Sequence, residues 1–282
     1  MSSTTPILIT GASGILGTDL ALRFPASFGN HSVISLSRSE LDITRWEDVR
    51  CKLSEIRPKV VVNAAAYTNV DGAESDRETA YQVNAAAVGN LAHLCDEMGA
   101  RLVHFSTDQV FDGSGNRPWK EDDPTHPLNH YAETKLLGEA KALRVENSLI
   151  LRVQWLYGRK KDRFTLLADK PLFTPFSDQF GAPMYAWHLA NWVVKLIEKK
   201  ATGIFHVTYD DYASWAEVYQ FVVDVMGFKT ELHPKTSEET PLPARRPKFG
   251  VLSNEKVRKF LGEPTLGSWK DALREFLFSR EL

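Results

Sequence analysis

The chain has 282 residues, of which 43% are hydrophobic and 25% charged, enough for one large core and a smaller lobe. Its formal charge of -2 gives no general attraction to nucleic acid or to an anionic membrane surface, so neither is expected as a partner. This overall charge is compatible with a small anionic ligand bound by local arginines.

Cys51 and Cys95 lie in stretches with a helical pattern, without a CxxC motif or a histidine at ligand spacing. We therefore expect free thiols and no metal site. The residues before Ile7 lack the basic region and long apolar segment of a signal peptide, and no run is long enough to span a bilayer. These absences predict a cytoplasmic protein.

Short apolar runs alternate with helical patterns through the first half of the chain, as in a parallel sheet joined by crossover helices. The predicted strands are 7–10, 33–36, 60–63, 101–106 and 148–153, and the predicted helices are 16–24, 46–56, 79–98 and 131–143. Right-handed crossovers place helices on both faces and ligands beyond the carboxyl ends of the strands. The pattern predicts an α/β fold with a Rossmann-type doubly wound parallel sheet.

The alternation becomes irregular after residue 154, where a segment with two prolines, 170–176, interrupts it. A predicted helix at 186–199 and a strand at 203–207 return to the main sheet. We therefore assign residues 1–154 and 184–210 to a dinucleotide-binding domain. Residues 155–183 and 211–282 would form a smaller, discontinuous α/β lobe that binds substrate.

The first predicted strand runs into a GxxGxxG turn made by Gly11, Gly14 and Gly17. Glycines let the backbone approach a pyrophosphate, and the start of the following helix offers unpaired amides. A tight strand-to-helix turn is the structural alternative. The place of the motif on the first strand of an alternating pattern favours phosphate binding.

Arg38 follows the second predicted strand, where enzymes selective for NAD usually carry an acidic residue. Its guanidinium favours NADPH, with NADH as the alternative because Arg38 is equally compatible with a solvated surface position. Asp42 would either accept from the adenine amine or cap a turn or helix. The small residues at 63–68 leave space for a cofactor or for close helix packing.

Tyr131 and Lys135 are one helical turn apart, so a phenol and an ammonium share a helix face. Such a phenol is a proton donor, and we expect the ammonium and a hydrogen-bonded neighbour to lower its pKa from about 10. Thr107, at the end of the fourth strand, would hold a carbonyl against the phenol. A YxxxK motif alone is common on amphipathic helices, but after a nucleotide-binding pattern it favours catalysis.

With these motifs on one chain, the sequence resembles the extended short-chain dehydrogenase/reductase superfamily and, within it, the dTDP-4-dehydrorhamnose reductase family. The similarity runs almost end to end, and its most specific segments are STDQVFDG at 106–113 and DQFGAP at 178–183. The other matching segments are 10–17, 41–44, 63–74, 131–139, 152–158 and 245–247.

The resemblance implies that Tyr131 is the proton donor, that Lys135 tunes it and binds the nicotinamide ribose, and that Thr107 orients the keto oxygen. Asp108 and Trp155 match positions that line the sugar site. The positions that match cofactor contacts are Gly11, Ser13, Gly14, Ile15, Asp42, Ile43, Ala66, Tyr67 and Thr68.

Arg245 and Arg246 match a family segment that borders the substrate cleft. They would either bind the diphosphate of the nucleotide with forked donors or form a solvated basic loop, and we expect Arg246 to take part in binding.

The implied reaction is hydride transfer from NADPH or NADH to C4 of a nucleotide-linked 4-keto-6-deoxyhexose, with dTDP-4-dehydro-L-rhamnose as the default substrate. Related dehydratases carry an acidic pair after the threonine, whereas this chain has Asp108 and then Gln109, which argues against dehydration. The alternatives are a reductase of another nucleotide sugar and a non-catalytic NADP-binding subunit resembling the regulatory subunit of methionine adenosyltransferase. A homodimer is left open.

The chain also departs from the family pattern where the substrate lobe should be. Gln154 stands where a serine or threonine is usual, and Arg163 where an asparagine is usual. The segment 165–177 is shorter than is typical and contains two prolines, so we expect no full helix there. These departures leave the identity of the sugar open.

Overall fold

The computed structural model describes residues 6–29, 32–160 and 162–279. The strands are β1 (Ile7–Thr10), β2 (Val33–Leu36), β3 (Val60–Asn63), β4 (Arg101–Thr107), β5 (Leu149–Val153), β6 (Leu156–Tyr157), β7 (Leu172–Phe173), β8 (Phe180–Gly181), β9 (Met184–Tyr185), β10 (Gly203–His206), β11 (Ala213–Ser214) and β12 (Glu231–Leu232). Six of them form one parallel sheet in the order β10-β5-β4-β3-β1-β2. The order reverses between β1 and β3, and such a reversal is where doubly wound sheets bind ligands.

The helices cover both faces of this sheet, which confirms the predicted fold class. They are α1 (Ile15–Phe28), α2 (Trp46–Ile56), α3 (Gly72–Ser75), α4 (Arg77–Tyr81), α5 (Ala87–Glu97), α6 (His130–Ala142), α7 (Ala186–Glu198), α8 (Trp215–Met226), α9 (Glu255–Leu261) and α10 (Trp269–Phe278). Helices α1 and α7 pack on one face, and α2, α5 and α6 lie on the other. None of the helices in the described ranges is long and apolar enough to cross a membrane.

The apolar runs predicted as strands are buried because both faces of the sheet are covered. Along β1, Ile7 and Ile9 contribute to the core under α1 and α7, whereas Leu8 points to the core under α2 and α5. Successive side chains of a strand alternate between faces, so one short run supplies both cores. This explains why the strands read as continuous hydrophobic segments.

Two helices differ from their predicted extents. Helix α1 continues through Pro25 to Phe28, although proline has no N–H to donate to the preceding turn. The predicted helix 79–98 is interrupted by a π-helix at Gln82–Ala86. There the backbone oxygen of Asn84 lies so close to Gly138 of α6 that a Cβ at Gly138 would be 2.2 Å from it. The π-helix therefore brings the chain against α6.

The second half of the chain adds small two-stranded sheets beside the main one. They pair β6 with β9, β7 with β12 and β8 with β11. The segment 165–177 holds only a short 3-10 turn, Thr165–Leu167, and strand β7, so the prediction of no full helix is confirmed. The division into two domains remains a proposal.

The turn from β1 to α1 is held by a close contact between two backbones. Gly11 has a φ of +68°, and a Cβ there would lie 2.5 Å from the backbone nitrogen of Ala65, just after β3. Gly17 faces the same turn, since a Cβ there would lie 2.1 Å from the oxygen of Gly11. Both residues must be glycine for the turn to close.

We predict that Gly11→Ala lowers the free energy of unfolding by about 3 kcal/mol, because positive φ and a backbone clash act together. The matched control is Gly99→Ala, where φ is +59° but the space for a Cβ is open. It should cost about 1 kcal/mol. Urea unfolding of both variants measures the difference. Equal losses in the free energy of unfolding would show that the clash with Ala65 adds nothing to the cost of the positive φ.

Candidate active site

The glycine turn lies at the carboxyl end of β1, where the strand order reverses. Ser13 and Gly14 are exposed, and Gly14 precedes helix α1 without a side-chain cap. The first turn of α1 starts with Ile15 and carries no acidic residue. Free amides and the positive end of the helix dipole suit an anion, so the turn fits the phosphates of a dinucleotide.

The end of β2 carries the residues predicted to distinguish between cofactors. Arg38 is largely exposed, and its Nε donates to Asp42 Oδ2 at 3.2 Å. Asp42 Oδ1 accepts from the backbone and hydroxyl of Thr44, as a turn-capping residue does. Ile43 is buried in the core under α2. The contacts of Arg38, Asp42 and Ile43 with a cofactor therefore remain predictions.

The loop after β3 carries Ala66, Tyr67 and Thr68, which border the same crevice. Its shape is fixed by Asn84, buried on the π-helix, whose Oδ1 accepts from Tyr67 N at 2.9 Å and whose Nδ2 donates to Tyr67 O at 3.0 Å. The same Nδ2 donates to Thr134 Oγ1 of α6 at 3.1 Å. One amide thus ties this loop to the helix that carries Tyr131 and Lys135.

Strand β4 and helix α6 bring Thr107, Asp108 and Tyr131 together. Asn129 caps α6 by accepting from the backbone of Ala132 at 2.8 Å. Tyr131, in the first turn of that helix, lies close enough to Thr107 for the Thr107 hydroxyl to lower its pKa. Thr107 Oγ1 donates to Asp108 Oδ1 at 3.0 Å. A hydroxyl and a phenol therefore lie side by side at the end of β4, and their contact with a carbonyl stays a prediction.

The acid–base properties of these groups differ from the expectation for Tyr131. Burial, with the negative charge of Asp108, raises the pKa of Tyr131 to about 12, opposed by the hydrogen bond with Thr107. Thr107 lowers this pKa as expected of the neighbouring hydroxyl, but burial and Asp108 outweigh it, so the expected net fall of the Tyr131 pKa is wrong for the protein without ligands. Burial also raises the pKa of Asp108 to about 7, against the hydrogen bond from Thr107.

The amine of Lys135 lies against β4. Its Nζ donates to the carbonyl of Phe105 at 2.6 Å and is 3.5 Å from Nε2 of His104. Burial lowers the pKa of Lys135 to about 8, and the carboxylate of Glu139, one turn further along α6, opposes that shift. Lys135 is therefore an ammonium below about pH 8 and an amine above it.

Trp155 follows β5 and Asp108 follows β4, and each of them is packed against a glycine. Trp155 has a φ of +43° and stacks on Trp215 with 3.9 Å between ring centroids. Gly181 leaves room for this ring, since a Cβ there would be 2.8 Å from it. Gly250 does the same for Asp108, because a Cβ there would be 2.5 Å from Oδ2.

Gln154 connects the two loops that carry these glycines. Its Nε2 donates to the carbonyl of Gly250 at 2.7 Å, and its Oε1 accepts from the amide of Ala182 at 2.6 Å. The side chain is almost fully buried. A serine or threonine is too short to span both loops, so the departure at this position has a structural role.

Arg246 does not have a free guanidinium. Its Nη1 and Nη2 donate to the two oxygens of Asp71 at 2.5 and 2.8 Å, and this contact lowers the pKa of Asp71. Arg245 is exposed, and its carbonyl accepts from Asn129 at 2.7 Å. Binding of a diphosphate by Arg246 therefore remains a prediction, and it would require sharing the guanidinium with Asp71.

Sequence reasoning missed three buried polar residues that support the site, namely His104, Asn84 and Glu139. Glu139 forms a buried ion pair with Arg152 of β5 at 2.8 Å, one turn beyond Lys135. The available signal was polarity inside predicted core elements, since buried charged groups are rarely unpaired.

The fold and this site define a class, the extended short-chain dehydrogenases/reductases that act on nucleotide sugars. A family model described as the RmlD substrate binding domain matches residues 5–281. The chain is 36% identical to a dTDP-4-dehydrorhamnose reductase of Burkholderia thailandensis, over 95% of this chain and 96% of that protein. It is 34% identical to the spore coat polysaccharide biosynthesis protein SpsK of Bacillus subtilis, over 98% of each chain.

Among solved structures, the dTDP-4-dehydrorhamnose reductase of Bacillus anthracis in complex with NADP superimposes with a TM-score of 0.92. It is 30% identical, and the match covers 98% of this chain and 99% of that one. The chain therefore belongs to the dTDP-4-dehydrorhamnose reductase family, which confirms the resemblance noted from its motifs.

We predict that Arg246→Ala raises KM for the sugar nucleotide, while Asp71→Ala leaves it within about twofold. Each change breaks the same surface-proximal ion pair and should lower the free energy of unfolding by about 1 kcal/mol. Steady-state kinetics and urea unfolding of both variants separate the two effects. An unchanged KM in Arg246→Ala would show that Arg246 serves only as the partner of Asp71.

Proposed function

We propose that this protein reduces the C4 ketone of dTDP-4-dehydro-L-rhamnose to give dTDP-L-rhamnose, with NADPH as the preferred cofactor and NADH as the alternative. The observation that carries the proposal is the proximity of the Thr107 hydroxyl to the phenol of Tyr131, with Lys135 one helical turn further along α6. The three side chains lie at the carboxyl end of β4, two strands from the glycine turn. Ketone reduction needs this combination of proton donor and carbonyl-orienting hydroxyl.

The cofactor would be held by residues from three strand ends. The amide of Gly14 is bound to the oxygen of Gly11 at 3.0 Å, so the amides of Ser13 and Ile15 suit the pyrophosphate, Gly11 and Gly14 let the backbone approach it, and Arg38 suits a 2′-phosphate. Lys135 supplies donors for the nicotinamide ribose, and the loop containing Ala66, Tyr67 and Thr68 lies across the crevice. When bound, NADPH supplies a hydride.

Tyr131 provides the proton that completes the reduction. A phenol with a pKa of about 12 keeps its proton throughout the neutral range, so it is available to an alkoxide forming at C4. Thr107 can turn its hydroxyl from Asp108 towards the keto oxygen. Asp108 then remains free to accept a hydrogen bond from a sugar hydroxyl, and Trp155 offers an apolar ring face.

Two alternatives remain proposals beside the leading one. A different nucleotide sugar would be reduced by the same chemistry. The segments around Gln154 and Arg163 would then determine which sugar is bound. A regulatory subunit would not require the hydroxyl of Thr107 beside the phenol of Tyr131, so their proximity favours catalysis. Homodimer formation likewise remains a proposal.

We predict that Tyr131→Phe lowers kcat by about 100-fold or more, because the variant lacks the proton donor. NADPH binding should stay within about twofold of wild type. The measurement is NADPH oxidation with dTDP-4-dehydro-L-rhamnose, with fluorescence titration for binding. Tyr81→Phe, on α4 beside Lys141, is the matched control. Full activity in Tyr131→Phe would rule out the assigned proton donor.

We predict that Arg38→Ala reduces the preference for NADPH over NADH by about tenfold, because one charge-assisted contact with the 2′-phosphate is lost. Arg45→Ala removes another exposed arginine, paired with Asp48, and should leave the preference unchanged. The ratio of kcat/KM with NADPH to kcat/KM with NADH measures this preference. An equal ratio in Arg38→Ala and wild type would mean that Arg38 does not contact the phosphate.

A further inference from the structure

A buried chain of side chains links the glycine turn to Lys135. Asn63, the last residue of β3, accepts at Oδ1 from the hydroxyl of Thr10 at 2.7 Å and from the amide of Ala65 at 3.3 Å. Its Nδ2 lies 3.3 Å from Nδ1 of His104 on β4. Nε2 of the same ring lies 3.5 Å from Nζ of Lys135.

The amide of Asn63 has one orientation that fits this environment. The N–H of Ala65 can only donate, so Oδ1 of Asn63 must face it, and Nδ2 must face His104. Because Nδ2 carries only hydrogens, Nδ1 of His104 must supply a lone pair. Asn63 therefore determines which ring nitrogen is protonated.

His104 is neutral in this setting. Burial, and then the positive charge of Lys135, hold its pKa well below the ordinary value. A neutral imidazole has one N–H, and with Nδ1 acting as acceptor that hydrogen is on Nε2. The ring therefore presents an N–H, and no lone pair, to Lys135.

We propose that His104 is a positioning residue for Lys135. By presenting Nε2–H to Nζ, it favours the amine over the ammonium, and it leaves the ammonium no lone pair on the imidazole ring to which it could donate. An ammonium has three donors, and the carbonyl of Phe105 takes one of them. The other two are left for the cleft, where the cofactor ribose would bind, so this inference rests on the proposed function.

The other charged and titratable groups around Lys135 favour different protonation states of its side chain. On its own helix, Glu139 favours the ammonium, but Glu139 is also bound by Arg152 of β5. Towards the start of α6, Tyr131 stays protonated in the neutral range, and Asp108 adds a carboxyl group. These other groups stay unchanged when the N–H of His104 is replaced by a hydrogen-bond acceptor. The replacement should therefore stabilise the ammonium form of Lys135.

The first test measures the tautomer in the wild-type protein, without substrate or cofactor. Two-bond nitrogen–proton spectra of histidine-labelled protein distinguish the two neutral tautomers. His206 is a built-in reference, because burial lowers its pKa to about 3 and its Nδ1 faces the carbonyl of Trp119 at 3.0 Å. We expect two histidines that stay neutral at pH 5, His206 with Nδ1–H and His104 with Nε2–H. Nδ1–H on both would overturn the proposal.

The second test uses His104→Gln, whose amide oxygen can accept from the ammonium of Lys135. In wild-type protein we expect kcat/KM for ketone reduction to fall above about pH 8, where Lys135 loses its proton. In His104→Gln this fall should move up by about one pH unit. His188→Gln, which removes a ring bound to Tyr209 and Glu275, is the matched control and should not move it. If kcat/KM of folded His104→Gln falls at the same pH as in wild-type protein, the proposal is overturned.

The two tests separate this inference from the proposed function. If wild-type protein binds NADPH but reduces no ketone, the proposed function fails, and the pH dependence of NADPH affinity replaces kcat/KM as the readout in both variants. If His104→Gln does not fold, the tautomer of His104 in wild-type protein decides the outcome.

Discussion

The approach of the glycine turn to the end of β3 is the contact on which the rest of the site depends. Gly11 can lie against the backbone of Ala65 because it has no Cβ, which would be only 2.5 Å from the nitrogen of Ala65. The contact leaves the start of α1 uncapped towards the crevice and places the amide of Ala65 where it orients Asn63. A backbone contact at the reversal of strand order thus shapes both the proposed phosphate site and the polar groups behind the proposed catalytic lysine.

Helix α6 is held in place by polar contacts at both ends of its buried face. Asn84 binds Thr134 near the start, and Arg152 binds Glu139 further along with two hydrogen bonds of 3.0 and 2.8 Å. Removing one partner of a buried ion pair typically costs about 3–5 kcal/mol, because the other charge is left without compensation. The position of Tyr131 relative to Thr107 therefore depends on residues that do not touch a ligand.

The sequence predicted the sheet well because each strand is a short apolar run closed by a glycine or polar residue. The ends of β1, β2 and β3 agree with the predicted residues, and the glycine turn and the pair Tyr131 and Lys135 were recognisable from spacing alone. The pairing of Arg246 with Asp71 was not, since it joins positions 175 residues apart. The tautomer of His104 depends on the register of three strands, which no local pattern encodes.

The proposed function requires that a hydride reaches C4 of a sugar bound beside Thr107 and Tyr131. The most direct measurement uses NADPH carrying deuterium at the transferred position of its nicotinamide ring, with dTDP-4-dehydro-L-rhamnose and purified protein. Nuclear magnetic resonance of the product should show deuterium at C4 of dTDP-L-rhamnose, in an amount equal to the NADPH consumed. NADPH binding with no deuterium at C4 would contradict the account.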